Sequence, residues 1–251
     1  MAVLGALMRL ELRDGSQMRE IFSEQVDRRL DLPESEQKGY AERLTTALGT
    51  QKLSEIQPQF ILLVDRSRFV QAVMLYWLGP NHEPMFIGAS PVSTGRPGRY
   101  EYFETPVGVF EHSIDNPDFR ALGTKNEFGI RGYGLKGMRV YDFGWIKAPR
   151  GWGDGHEGAL RLQMHATDPG LLDRYLGTAR SKGCIRIPAA LNVLIDHYGL
   201  LDADYEVAMA EGETFFVMLP AREPTPWSGR YLVIVDTERT ERPSWSPVSG
   251  H

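Results

Sequence analysis

From residue 59 onward the apolar residues of this 251-residue chain fall in short runs, broken repeatedly by Gly, Pro and Asn. Phe60–Val64, Phe69–Trp77, Met85–Ala89, Val107–Phe110, Met138–Phe143 and Leu160–His165 are rich in β-branched and aromatic residues. Runs of this length suit strands better than helices. Tyr205–Ala210, Thr214–Leu219 and Tyr231–Asp236 read the same way. Strands at this frequency predict a mainly β fold, a sandwich or a barrel. Two short helices interrupt it. Asp168-Pro169 offers an N-cap and N1 pair for a helix ending at Gly177, and Pro188–Tyr198 reads as a second, ended by Gly199.

The first part of the chain follows a different period. Met18, Ile21, Phe22, Val26 and Leu30 recur at helical spacing, with Asp14 or Ser16 as N-cap. Pro33 interrupts, and Tyr40, Leu44 and Leu48 form a second stripe before Gly49. Three segments follow from this reading. Residues 1–57 are an N-terminal helical extension, 58–220 the main β domain, and 221–251 a C-terminal strand with a loosely held, proline-containing tail. Ala2–Met8 is apolar but lacks a basic flank and a clear cleavage site. It fits either the remnant of a signal sequence or an ordinary terminal element.

Composition then excludes several function classes. Lys and Arg number 28 against 33 Asp and Glu, a net charge of −5, which argues against nucleic acid as partner. A single cysteine excludes an internal disulfide framework and a Cys-rich zinc site. No apolar run approaches the roughly 18–20 residues of a transmembrane segment. Charge is uneven, however. Residues 120–186 hold 12 cationic and 6 acidic side chains, and the remainder holds 16 and 27. A basic stretch in an acidic protein suits an anionic ligand.

Both residues with the strongest chemical signal lie in that stretch. In Leu160–His165, Leu160, Leu162 and Met164 share one strand face, and Arg161, Gln163 and His165 the other. His165 thus ends a strand on its polar face, where a catalytic base can meet solvent. The only cysteine stands in Ser181-Lys182-Gly183-Cys184-Ile185-Arg186. Ile185 and Ile187 alternate with Cys184 and Arg186, which turns the thiol away from the core. Arg180, Lys182 and Arg186 surround it with positive charge, which favours the thiolate. Gly183 lets a substrate approach the backbone, whose N–H groups can stabilise an oxyanion.

His165, fifteen intervening residues, and then Ser-Lys-Gly-Cys-Ile-Arg resemble the signature of the L,D-transpeptidases, the YkuD-type catalytic domain. Pro91-Val92-Ser93-Thr94-Gly95, Thr105-Pro106-Val107-Gly108-Val109-Phe110 and Leu176-Gly177 are similar to further segments of that family, in the same order. The resemblance covers residues 58–220. It implies a YkuD-like β-sandwich with a few short helices and a cysteine acyl-transfer mechanism without metal or cofactor. It also implies a periplasmic or cell-envelope location. Cys184 would attack an L-residue carbonyl of a peptidoglycan stem peptide, at diaminopimelate or, in a 1,3-type variant, at L-Ala. His165 would be general base and then acid, oriented by the backbone carbonyl of Ala166. Gly183 and Cys184 would supply oxyanion N–H groups, and an acceptor amine would resolve the thioester into a cross-link. Carbapenems would acylate the same thiol.

One residue departs from the family pattern. Lys182 stands where a second histidine is usual, and it is expected to lower the Cys184 pKa or to bind a stem carboxylate. Ser181, Arg186, Tyr133, Tyr141 and Trp152 complete the expected substrate-binding set. Gly144–Gly158 is long for a hairpin and rich in Gly, and the resemblance implies that it forms a lid over the cysteine. Asp154, His156 and Glu157 within it make a poor metal site. Three activities remain open at this level: transfer, hydrolysis by the same residues, and non-catalytic wall binding.

Overall fold

Strands β1 (Gln59–Asp65) and β2 (Ala72–Leu78) are buried at every position, because apolar layers cover both faces of the sheet they form. The structure, a computed structural model, describes residues 13–246; Ala2–Met8 lies outside them. Phe60, Leu62 and Val64 of β1 enter one hydrophobic cluster, and Ile61 and Leu63 enter another. That split is the two-residue period of a strand.

Each apolar layer has its own helix. In α1 (Gly15–Gln25), Asp14 caps the first turn by accepting from Ser16 N at 2.9 Å. Met18, Phe22 and Val26 join the first cluster. In α2 (Glu34–Thr50), Tyr40, Leu44 and Leu48 cover the opposite face of the sheet. The helical pair is therefore part of both cores. The buried Asp65 carboxylate ties α2 to the end of β1, accepting from Tyr40 Oη at 2.6 Å and Thr237 Oγ1 at 2.7 Å. Leu44 is fully buried. Leu44→Ala is expected to cost about 2–5 kcal/mol in denaturant unfolding.

The first sheet runs β3-β2-β1-β9-β4, with β3 Pro84–Pro91, β4 Gly108–Glu111 and β9 Tyr231–Val235. β9 is parallel to β1 and antiparallel to β4. The second sheet runs β5-β6-β7-β8, with β5 Phe119–Arg120, β6 Arg139–Pro149, β7 Glu157–Ala166 and β8 Ile185–Ile187. Side chains from both sheets share the first cluster, together with α3 (Ala189–Tyr198). Bridges Ser93↔Arg186 and Gly95↔Ser181 stitch the segment after β3 to the segment around β8. Sheets dominate, with few helices, and no described helix is long and apolar enough to cross a membrane.

Four local expectations are corrected. Tyr205–Ala210 belongs to a helix, α4 (Ala203–Ala210). Its Ala, Glu and Met residues favour that state, and Tyr205 and Ala208 bury at helical spacing. Thr214–Leu219 forms no strand. Phe216 is exposed, and the Val217 carbonyl accepts from Arg120 Nε at 2.8 Å instead of a neighbouring strand. Residues 168–177 contain only a 3₁₀ turn, Asp173–Tyr175. The Asp168 carboxylate turns to Arg131 N and Gly170 N, both at 3.0 Å. The tail after Glu238 is held through Ser246. Trp245 packs edge-on against Tyr40, and Ser246 Oγ donates to the Phe69 and Val70 carbonyls.

Candidate functional site

β7 and β8 pair in parallel, with Met164 beside Ile185 and His165 beside Arg186. Leu162, Met164, Ile185 and Ile187 turn into the core. Strand alternation then places Gln163, His165 and Arg186 on the opposite face. One step back along this register, Cys184 stands beside Gln163 on that same face. Two residues nineteen positions apart thus share one face of the sheet because adjacent parallel strands carry them.

His165 is 4% exposed. Its Nδ1 lies 2.7 Å from the Ala166 carbonyl oxygen, which can only accept. The proton is therefore on Nδ1, and Nε2 keeps its lone pair. Burial, with the Arg186 charge adding to it, brings the His165 pKa down to about 4. The ring is a neutral base at physiological pH.

Cys184 does not match the expected thiolate. Burial pushes its pKa up, Asp142 adds to that, and Arg186 together with the Gln163 N–H opposes it. Burial prevails because the thiolate loses solvation that one guanidinium does not replace. The two groups are thus a neutral thiol and a neutral imidazole on one sheet face, and nucleophilic attack by the sulfur would require proton transfer. Lys182 points its charge elsewhere: its ammonium pairs with Glu101 at 3.2 Å, both side chains well exposed.

The loop before the thiol is clamped from within and from outside. Ser181 is buried; its Oγ donates to the Cys184 carbonyl at 2.5 Å and accepts from Gly183 N at 3.1 Å. It serves the loop rather than facing a ligand. Gly183 has φ +131°, and a Cβ there would lie 2.9 Å from Leu160 Cδ1. A side chain is excluded by both conformation and space. Thr105 Oγ1 donates to the Gly183 carbonyl at 2.7 Å and accepts from Gly95 N at 2.8 Å. Phe103 N donates to the Lys182 carbonyl at 3.2 Å. Segments around residues 95, 105 and 183 therefore close on one another.

Sequence reasoning missed the polar chain beneath the pair. Buried Asp142 accepts from Arg161 Nε at 2.7 Å and from Gln163 Nε2 at 2.8 Å. Gln163 Oε1 accepts from Tyr133 Oη at 3.3 Å, and the Tyr133 ring meets His165 edge-on at 4.7 Å. The alternation of Arg161, Gln163 and His165 was the available signal. Asp142 is supplied by the facing strand, where it pairs with Gln163.

Tyr133 thus borders the site, but Tyr141 does not. Tyr141 pairs with Met164, on the core side of the sheet, and is fully buried. Trp152 is half-buried and packs edge-on against Phe103 and Tyr100. The two ends of the expected lid are ladder, because β6 runs to Pro149 and β7 starts at Glu157. The register shifts between Asp142 and Trp145, and in the turn between the strands Gly151 N donates to the Tyr102 carbonyl at 2.8 Å. Asp154 and His156 are exposed on that turn. Among the described residues no group of three or more His, Cys, Asp or Glu could hold a metal ion.

Compared with known proteins, the chain matches no family model and no curated protein.

Proposed function

We propose that the chain is a cysteine acyltransferase of the L,D-transpeptidase kind, acting on peptidoglycan stem peptides in the cell envelope. One observation carries the reading: His165, its Nδ1 held on the Ala166 carbonyl at 2.7 Å, shares a sheet face with the only cysteine. The two-sheet core fits a YkuD-type sandwich.

In this reading His165 Nε2 takes the Cys184 proton as sulfur attacks an L-residue carbonyl. The Gly183 and Cys184 N–H groups stabilise the oxyanion, and the Gly183 N–H first releases Ser181 Oγ. Collapse breaks the peptide bond, and the imidazolium returns its proton to the leaving amine. An acceptor amine then attacks the thioester, loses a proton to His165 and forms the cross-link. Burial of His165 limits access of water and favours transfer over hydrolysis.

Incubation with a carbapenem, followed by intact-mass measurement, tests the nucleophile. A one-to-one adduct that disappears in Cys184→Ser is expected. No adduct on the folded protein would overturn the reading. Purified muropeptides then separate dimers, the transfer product, from shortened monomers, the hydrolysis product.

A further inference from the structure

A cavity of about 330 Å³ adjoins the thiol loop, and four arginines line it: Arg96, Arg99, Arg180 and Arg186. Elsewhere in the basic stretch Arg120, Arg131, Arg139 and Arg161 each face a carboxylate. Among the described residues the four cavity arginines have no carboxylate partner. Arg180 stacks on the Tyr175 ring at 4.4 Å and Arg99 on Tyr102 at 6.0 Å. Both rings line the same cavity. Like charges gathered in one concavity repel unless an anion joins them.

Two polar atoms point to such an occupant. Arg186 Nε and Thr167 Oγ1 are cut off from water and have no hydrogen-bond partner, and both residues line this cavity. Thr167 is 1% exposed. Buried donors without acceptors are uncommon in folded proteins, and a ligand oxygen reaches these two once a side chain of the cavity wall moves aside.

We propose that this cavity binds a phosphate group. A carboxylate has two oxygens and is saturated by two guanidinium forks. A phosphate monoester offers three terminal oxygens and nearly two charges, which suits four guanidinium groups and a hydroxyl. The volume is at the lower end of small-ligand cavities, about 300–1,000 Å³, and leaves room for an organic group on the phosphate. The site does not rest on the acyl-transfer reading, because none of its donors is the thiol or the imidazole.

Calorimetric titration of the whole chain with inorganic phosphate, glucose 1-phosphate and succinate tests it, in wild type and in Cys184→Ser. Both phosphates are expected to bind and to outcompete succinate, equally in the two proteins. Tighter binding of the ester assigns a phosphorylated ligand. Equal binding keeps the phosphate site and assigns the free ion. Arg96→Gln and Arg180→Gln, on exposed side chains that leave folding intact, are each expected to weaken phosphate by about tenfold or more. Absent phosphate binding, succinate binding as tight as phosphate, or variants with wild-type affinity would each overturn the proposal. Loss of carbapenem acylation with phosphate binding retained would overturn only the enzymatic reading.

Discussion

Replacing His165 with Gln is expected to slow acylation of Cys184 near neutral pH by about 10²–10⁴-fold. The size follows from the protonation states. Burial raises the thiol pKa above its ordinary value, so the resting sulfur carries its proton at neutral pH. His165, with a pKa brought down to about 4, is unprotonated there and can accept it. Glutamine fills similar space and has no basic nitrogen. The pH profile separates lost base from lost structure. Wild-type acylation should stay level from about pH 5 to pH 8, because the imidazole is already neutral. The variant should gain about tenfold per pH unit as free thiolate accumulates, and so approach wild type in alkali. A variant rate that is flat across this range would remove His165 from the role of base. Measuring adduct formation by mass against time at each pH supplies the data.

Arg139→Met is expected to cost about 3–5 kcal/mol of folding stability, read by denaturant unfolding. Arg139 is fully buried on the core side of β6. Its Nε donates to Asp118 Oδ2 at 2.6 Å and its Nη1 to Asp202 Oδ2 at 2.9 Å. Its guanidinium also stacks on Tyr141 and Tyr205. Methionine keeps much of the volume and removes the charge, leaving Asp118 and Asp202 each one buried cation short. Arg222 stays on Asp202 at 2.6 Å, and His112 stays on Asp118. Its Nδ1 faces the Leu201 carbonyl at 2.7 Å and its Nε2 faces Asp118 Oδ1 at 2.9 Å. Both partners are acceptors, so both nitrogens carry protons, in keeping with a pKa raised by the Asp118 charge against the cost of burial. That contribution is complete below the unfolded-state pKa and is lost as pH rises through the folded one. The cluster also braces the site. Asp118 Oδ1 accepts from Asp142 N at 2.9 Å, and the Asp142 side chain holds Gln163 beside Cys184.

How much of this was legible depended on whether the information was local. The alternation through Leu160–His165 is a property of six consecutive residues, and the core takes Leu160, Leu162 and Met164 as it predicts. The special role of Gly183 was also local, since only glycine tolerates φ +131° freely. Solvent at His165 was not local. His165 is buried there, with the Tyr133 ring against it arriving from elsewhere in the chain. The thiolate expectation failed for the same reason. Of the positive charges near Cys184 in sequence, Lys182 is held in a surface ion pair and Arg186 lowers the thiol pKa by less than burial raises it. Tyr205–Ala210 misled because aromatic and β-branched residues were weighed above the alanines between them.

The place of β9 in the first sheet sets an order of events during synthesis. β9 pairs with β1 on one side and β4 on the other. Arg66 and Asp236, which meet beside that pairing, are 170 positions apart. Until residue 235 has left the ribosome, β1 and β4 each present an open row of backbone donors and acceptors. Such rows are templates for pairing with another chain, and contacts this distant in sequence form slowly. The nascent protein therefore passes through a long interval in which β1, already paired with β2 on one edge, lacks its neighbour on the other. A chain cut short before residue 231 would remain in that condition.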